Sequence, residues 1–287
     1  MRQRAWPDSI ITEQGMRQAL ANVPERAAQR LLAAEADGVV VGWATVARAW
    51  WVSDPNHGQL SLAVDPPYRG QGIGSQLADA MEHHIAELGL ATTRTDSLDE
   101  PAAHALATGR GYRETGSSSV SAVDPRTVEL LPVPDGVRIV PFGELENPEP
   151  VWALDMLVSK DIPNEEFDAV TLEEWTSEFW RSPFVDDEAS LAALVGDTIV
   201  AMTLIRIDRP SGRAQNNLSG TLREFRGQGL ATVLKSHSLH RAGQLGAEIA
   251  ITDNEERNAP MLAVNTKLGY RPYARRLTWE RSTPPSA

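Results

Sequence analysis

The feature of this sequence that most constrains its fold is an internal repeat. Residues 68–73 read YRGQGI and residues 225–230 read FRGQGL, so that Arg69 corresponds to Arg226 at an offset of 157 (226 − 69). Self-similarity held in register is the signature of a duplicated unit, and we therefore predict two copies of one fold. The flanking positions that keep the register are Leu77 with Leu234, Leu88 with Leu245, Asp96 with Asp253 and, at an offset of 158, Tyr112 with Tyr270.

The segment between the copies is rich in proline, with Pro125, Pro132 and Pro134 close together. Proline removes a backbone donor and disfavours both helix and central strand, so this segment is predicted to be a linker. A chain of 287 residues is long enough for two domains of ordinary size. The predicted organisation is a first domain over residues 1–125, a linker over residues 126–136 and a second domain over residues 137–287.

The order of predicted elements is the same in each copy. In the first, residues 39–47 and 59–64 are β-type runs, and Leu77, Met81 and Ile85 recur on one helical face. The series strand, glycine turn, helix, strand, helix, strand predicts an α/β fold in which each copy contains a mixed sheet of the α+β type.

The second copy includes an opening segment that the first lacks. Residues 137–140, which read VRIV, are β-like, and their counterpart 157 residues earlier would precede Met1. The first copy is therefore predicted to be truncated at its N-terminus, without its opening strand and much of its first helix.

The repeated glycine turn predicts an anion site. Glycines allow a tight bend, and consecutive N–H groups at a helix N-terminus form a concavity that binds phosphate. Arg69 and Arg226 would add a cation. A plain tight connection between strand and helix is the alternative explanation. A P-loop would need a lysine, and a Rossmann turn would need glycine where the chain has Ser75 and Thr232.

Residues 64–74, which read VDPPYRGQGIG, resemble the motif with which GNAT-family acetyltransferases bind the pyrophosphate of acetyl-CoA. Residues 226–231 resemble it in the second copy. The resemblance covers nearly the whole chain and implies two tandem GNAT folds, with acetyl-CoA as co-substrate between two splayed strands in each. The cofactor-binding residues that the resemblance implies are Leu62, Ala63, Val64, Arg69, Gly70, Gln71, Gly72, Ile73, Gly74, Ser75, Ser219, Gly220, Thr221, Arg226, Gly227, Gln228, Gly229, Leu230, Ala231 and Asn258.

The resemblance does not extend to the family's general acid. Members often have an asparagine near the cofactor and, seven residues later, a tyrosine that protonates the departing thiolate. The second copy has Asn258 but then Asn265, and the first has Glu100 and Ala107. A thiol with a pKa of about 8.5 can leave without an acid, so this departure does not exclude activity.

No general base is identified from the sequence. The carboxylates of Glu178 and Asp208 are interpreted as ordinary surface groups. The catalytic residues are therefore left unassigned.

The predicted function is N-acetyl transfer from acetyl-CoA directly to a primary amine of a small molecule. The second copy is favoured as the active one, because acceptor pockets in the family are built largely from the segment that the first copy lacks. The first copy is predicted to bind CoA weakly or only to support the fold. Two alternatives stay open: a catalytically silent acyl-CoA-binding or regulatory module, and a protein N-acetyltransferase.

Composition excludes several other classes. The absence of cysteine excludes thiolate metal sites and a cysteine acyl-enzyme, and a net charge of -12 argues against nucleic acid as a partner. His83 and His84 are adjacent and point apart on a helix, so no metal is predicted. With no apolar run of membrane length and no N-terminal targeting segment, a cytoplasmic protein that does not contact a membrane is expected. The oligomeric state is left open.

Overall fold

The structure is a computed structural model that describes residues 2–10, 12–163, 169–180, 182–183 and 185–282. The chain divides into two compact units. The first consists of Met1–Ser9, Val23–Ser118 and Ala274–Ala287, and the second of Ile10–Asn22 and Ser119–Tyr273. Residues 274–282 therefore belong to the first unit. The boundaries proposed from the sequence, after residues 125 and 136, stay predictions of where the two copies meet.

The described elements are mixed α and β, as predicted. The helices are α1 (Arg2–Ala5), α2 (Glu13–Ala21), α3 (Ile73–Glu87), α4 (Pro101–Gly109), α5 (Glu149–Val158), α6 (Leu172–Phe179), α7 (Leu230–Gln244) and α8 (Ala259–Lys267). The strands are β1 (Arg30–Ala36), β2 (Val39–Arg48), β3 (His57–Val64), β4 (Thr92–Leu98), β5 (Arg113–Val123), β6 (Val137–Pro141), β7 (Leu191–Val195), β8 (Thr198–Asp208), β9 (Arg213–Thr221), β10 (Ile249–Glu255) and β11 (Arg271–Ser282).

In the first unit the strand order is β1-β2-β3-β4-β11. The β3 and β4 strands are parallel, and the other neighbouring pairs are antiparallel. Helix α3 covers this sheet with the predicted apolar face, on which Met81 and Ile85 are buried together with Leu60 and Trp279. Parallel strands need a crossover between them, and α3 supplies it from β3 to β4. The start of α3 is thereby placed at the end of β3.

In the second unit the order is β5-β10-β9-β8-β7-β6, with β9 and β10 parallel. Helix α7 makes the same crossover from β9 to β10. On helix α6, Trp175 is fully buried, and its indole N–H donates to Asp155 Oδ2 at 2.7 Å. Phe179 and Trp180 lie against the Trp175 ring, with centroids 5.9 and 6.3 Å away. These aromatic residues are therefore packing residues of the core.

The two series of elements correspond one to one along the predicted repeat. Strands β1 to β5 match β7 to β11 in the order β1 with β7 through β5 with β11, while α3 and α4 match α7 and α8. Strand β6 has no counterpart before β1 in the part of the chain that the structure describes. The duplication is confirmed.

No helix among the described residues combines the length and the apolar character that crossing a bilayer requires.

Candidate functional site

The first glycine turn joins β3 to α3. A single 3-10 turn, Pro66–Tyr68, leads into Arg69, and α3 begins at Ile73. Gly70 and Gly72 have φ angles of 75° and 82°, in the left-handed region. A Cβ atom on either glycine would meet no atom closer than 3.9 Å, so the backbone angle and not crowding requires glycine here.

The second turn repeats this geometry between β9 and α7. Its 3-10 turn is Arg223–Phe225, and Gly227 and Gly229 have φ angles of 76° and 78°. Helix α7 begins at Leu230. The closely similar angles show that the repeated spacing encodes one backbone conformation.

Both turns present unused backbone donors. In the described chain, the N–H groups from Gly70 to Ser75 have no hydrogen-bond acceptor, and the first helical bond runs from the Gln76 N–H to the Gly72 carbonyl at 3.0 Å. The N–H groups from residue 227 to residue 232 are likewise without an acceptor in the second turn. Such donors at the positive end of a helix dipole bind anions. Each turn has the geometry of a phosphate site.

The repeated arginines hold the turns in place. Arg69 Nε donates to the Val64 carbonyl at 3.2 Å, and Arg226 Nε donates to the Thr221 carbonyl at 3.0 Å. Each guanidinium also contacts a carboxylate, from Arg69 to Glu100 at 2.8 Å and from Arg226 to Asp161 at 2.5 Å. Each arginine therefore fixes the end of its strand against the turn. A phosphate bound at the turn would share the positive charge of the guanidinium with the carboxylate.

The parallel strands separate at the level of the turns. Pairing of β3 with β4 runs from His57 opposite Thr92 to Leu60 opposite Thr95 and then ends. Pairing of β9 with β10 ends in the same way after Gln215 opposite Ile251. Residues 62–64 and 219–221 lie beyond these last pairs. The splayed strands that the sequence resemblance implies are therefore present in both units.

We call the point where the paired parallel strands separate the fork. The first unit contains a pocket of about 900 Å³ at its fork, between β3 and β4. It brings together every cofactor residue predicted in the first copy except Gln71. The predicted residues that line it are Leu62, Ala63, Val64, Arg69, Gly70, Gly72, Ile73, Gly74 and Ser75.

Two further walls of the pocket were not found from the sequence. One is the face of α4, which is lined by small residues that include Ala103, Ala107 and Gly109. The alanine-rich run after Pro101 was the sequence signal from which this wall could have been predicted. The other wall is Trp279 of β11, whose indole N–H donates to Ser97 Oγ at 2.9 Å. Sequence reasoning missed Trp279 because the repeat assigns β11 to the second copy, whereas the strand completes the first unit.

Two of the carboxylates that line the pocket are paired with arginines. Glu82 accepts from Arg110 Nη1 at 2.8 Å and lies 3.2 Å from Arg281 Nη1. Glu100 is held by Arg69. Neither carboxylate is therefore well placed to take a proton from a substrate.

Asp96 is the pocket carboxylate without an arginine partner among the described residues. It lies one residue beyond Thr95, where the pairing of β3 with β4 ends. Its Oδ1 accepts a hydrogen bond from the Thr278 hydroxyl at 2.9 Å. The sequence identified Asp96 only as a landmark of the repeat, and not as a residue of the pocket.

Tyr112 lines the same pocket, and its hydroxyl is buried. Burial raises its pKa to about 12, so the group stays protonated at neutral pH. The hydroxyl has no hydrogen-bond partner within the described residues, and the Arg281 guanidinium lies 5.0 Å from the ring centroid. A buried donor without an acceptor is costly.

In the second unit the predicted strand residues already contact protein. Ser219 Oγ lies 2.8 Å from Thr203 Oγ1 and donates to Asn216 Oδ1 at 3.2 Å. A Cβ on Gly220 would come within 2.4 Å of Val158 Cγ2, so α5 packs directly on this strand. Asn258 caps α8 by accepting the Met261 N–H at 3.3 Å. The cofactor roles of Ser219, Gly220 and Asn258 stay predictions.

The interpretation of Glu178 as an ordinary surface carboxylate is wrong. Its side chain is half-buried, and burial raises its pKa, with Arg206 acting in the opposite direction. Asp208 accepts from the Ser211 hydroxyl at 2.5 Å in an exposed turn, as a surface residue does. The described residues include no group of three or more metal-ligating side chains that could hold a metal ion.

Comparison with known proteins identifies the family. The model of the acetyltransferase (GNAT) family matches residues 2–112 and 155–270, one region in each copy. A search of curated protein sequences found no significant match.

Several solved structures share the fold. A tandem GNAT protein from the clavulanic acid biosynthesis pathway is 19% identical, with a TM-score of 0.75, and the match covers 96% of this chain and 90% of that one. A GCN5-related N-acetyltransferase from Sphaerobacter thermophilus is 20% identical, with a TM-score of 0.69 and coverage of 88% and 79%. Likeness at these identities shows a common fold alone, whereas the two family matches span most of the sequence. The chain therefore belongs to the GNAT family of acetyltransferases, as a tandem member and an acyltransferase.

Proposed function

We propose that the first unit binds acetyl-CoA and transfers its acetyl group to the primary amine of a small molecule. The observation that carries this proposal is the pocket of about 900 Å³ that meets the unused N–H groups from Gly70 to Ser75. Its volume lies within the range of about 300–1,000 Å³ that is typical of ligand pockets. This assignment reverses the sequence-based preference for the second copy.

In this proposal the diphosphate of acetyl-CoA lies on the turn and the pantetheine arm lies along residues 62–64. The free edge of β3 beyond Leu60 offers backbone N–H groups to the pantetheine amides and to the thioester oxygen. Charge that develops on that oxygen is stabilised by such fixed donors. No metal takes part in this scheme.

The chemistry is a direct transfer in one step. The amine nitrogen attacks the thioester carbonyl carbon, a C–N bond forms, the C–S bond breaks, and the electron pair leaves on the CoA sulfur. Asp96 accepts the proton that the amine loses. Ala107 occupies the position of the family tyrosine, so the thiolate leaves without an acid at that position, which a thiol of pKa about 8.5 allows.

The matched pair Arg69→Gln and Arg226→Gln tests the assignment. Both substitutions remove the same bond from an arginine Nε to a strand carbonyl, so their structural costs are comparable. Titration calorimetry with acetyl-CoA is expected to show a loss of at least about tenfold in affinity for Arg69→Gln and wild-type affinity for Arg226→Gln. Equal losses, or a larger loss for Arg226→Gln, would contradict the assignment to the first unit.

A silent acyl-CoA-binding module is the second candidate, and it is favoured by Ala107 and Asn265 at the two tyrosine positions. Release of free CoA in the presence of a panel of small amines separates the two functions. Release with any amine above the rate of hydrolysis supports the transferase. Tight binding of acetyl-CoA without release on any amine supports the silent module.

A further inference from the structure

A lysine is buried in the interior of the second unit. Lys235 of α7 is only 1% exposed, and its Nζ donates to Asn265 Oδ1 at 2.7 Å. The Asn265 amide donates in turn to Asn254 Oδ1 at 2.6 Å. The Lys235 Nζ also lies 5.2 Å from the centroid of the Tyr270 ring. No carboxylate in the described part of the chain forms an ion pair with this ammonium group.

Burial of such a lysine is unfavourable in free energy. An ammonium group without a counter-ion loses its hydration, and the Asn265 amide oxygen and the face of the Tyr270 ring replace only part of it. Burial accordingly lowers the pKa of Lys235 to about 7. The arrangement is poorly explained as a contribution to stability.

The repeat shows what this cluster replaces. At the offsets of 157 and 158, Lys235 corresponds to Ala78, Asn265 to Ala107 and Asn254 to Ser97. All three first-unit residues line the pocket. Two alanines and a serine in the first unit are thus replaced by a lysine and two asparagines, which are hydrogen-bonded to one another and fill space.

The strand side of the second fork is occupied as well. Val158 of α5 contacts the backbone at Gly220, and Ser219 is hydrogen-bonded to Thr203 and Asn216. In the first unit, the corresponding strand residues Leu62 to Val64 line the open pocket. Protein atoms therefore fill both sides of the second fork, whereas the first fork contains a cavity.

We propose that Lys235, Asn265 and Asn254 occupy, in the second unit, the space that the acyl-CoA arm occupies in the first. The second unit is then a closed copy that keeps the phosphate turn without the pocket behind it, and the chain binds one acyl-CoA. The inference that the chain binds one acyl-CoA rests on the proposed function. The closure of the second fork is argued from the buried cluster alone.

The test replaces the cluster by the residues of the first unit. The triple variant Lys235→Ala, Asn265→Ala, Asn254→Ser is titrated with acetyl-CoA beside the wild-type chain and beside Lys235→Met, which keeps the space filled. Wild type and Lys235→Met are expected to bind one equivalent. The triple variant is expected to bind a second equivalent, and adding Arg226→Gln should remove it.

Two results would overturn the inference. One is a second equivalent bound by the wild-type chain and lost in Arg226→Gln. The other is a triple variant that unfolds cooperatively yet binds no second equivalent. If the triple variant does not fold, Arg69→Gln in the wild-type background decides: residual binding that is lost on adding Arg226→Gln overturns the closure, and weakened or lost binding that does not change on adding Arg226→Gln supports it. A wild-type chain that binds nothing, with binding gained in the triple variant, would overturn the proposed function and keep the closure.

Discussion

The Thr278 hydroxyl donates a hydrogen bond to the Asp96 carboxylate at 2.9 Å, across 182 residues of sequence. The two residues are register partners on β11 and β4 of the first unit. Next to them, the Trp279 indole N–H donates to Ser97 Oγ at 2.9 Å. The last strand of the chain therefore orients the carboxylate at the fork of the first unit and forms one wall of its pocket.

This relationship gives the first prediction. Asp96→Asn removes the proposed proton acceptor and keeps the Thr278 hydrogen bond, so kcat is expected to fall roughly 100-fold or more, with acetyl-CoA affinity within about twofold of wild type. Thr278→Val is the control for positioning and is expected to lower kcat less than Asp96→Asn. Steady-state kinetics with calorimetry measure both. Wild-type kcat in Asp96→Asn would remove Asp96 from the mechanism.

Glycines of the turn differ in what they tolerate. Gly72 has φ 82°, where alanine costs about 1–2 kcal/mol, so Gly72→Ala is expected to lower the free energy of unfolding and to weaken acetyl-CoA binding. A Cβ on Gly74 would meet Val64 at 3.6 Å, an ordinary contact, and the second turn has Ala231 there. Gly74→Ala should therefore behave as wild type in urea unfolding and calorimetry. Similar losses in both variants would contradict this assignment.

The buried tyrosines form a matched pair. The hydroxyls of Tyr112 and Tyr270 are both buried without a partner among the described residues. Replacement of either by phenylalanine removes an unsatisfied polar group and is expected to leave stability unchanged or to raise it by up to about 1–3 kcal/mol. Neither substitution is expected to change the affinity for acetyl-CoA, because both hydroxyls are buried away from solvent. A loss of affinity in Tyr112→Phe would show that its hydroxyl contacts the ligand.

Lys235 predicts a pH dependence of stability. Its pKa of about 7 in the folded chain lies below the value of about 10.4 in an unfolded one. Between these values the unfolded state binds the extra proton, so stability rises with pH, by up to about 1.4 kcal/mol per pH unit. Burial raises the pKa of the facing Tyr270, which stays protonated in this window.

Lys235→Met removes this titration. Urea unfolding at about pH 7 and pH 9.5 is expected to show that the variant is more stable than wild type at pH 7, and that its advantage shrinks at pH 9.5. An equal difference in the free energy of unfolding at both pH values would show that the buried lysine keeps an ordinary pKa.

Local features of the fold were predictable, and long-range ones were not. The turns and the face of α3 with Met81 and Ile85 follow from spacing within a few residues, and the splayed strands were implied by the family resemblance. The wall provided by Trp279 depends on a strand distant in sequence, and the closed second fork depends on three side chains from α7, α8 and β10. Asp96 and Lys235 looked unremarkable in the sequence because their roles come from what surrounds them.

Hydrogen exchange of the two turns, with and without saturating acetyl-CoA, tests the central claim most directly. The amides of residues 70–75 have no protein acceptor in the described chain and are expected to gain protection when the diphosphate binds. The amides of residues 227–232 are equally free of acceptors and are expected to exchange at the same rate with and without the cofactor. Protection confined to residues 227–232, or absent from both turns, would contradict the assignment of acyl-CoA binding to the first unit.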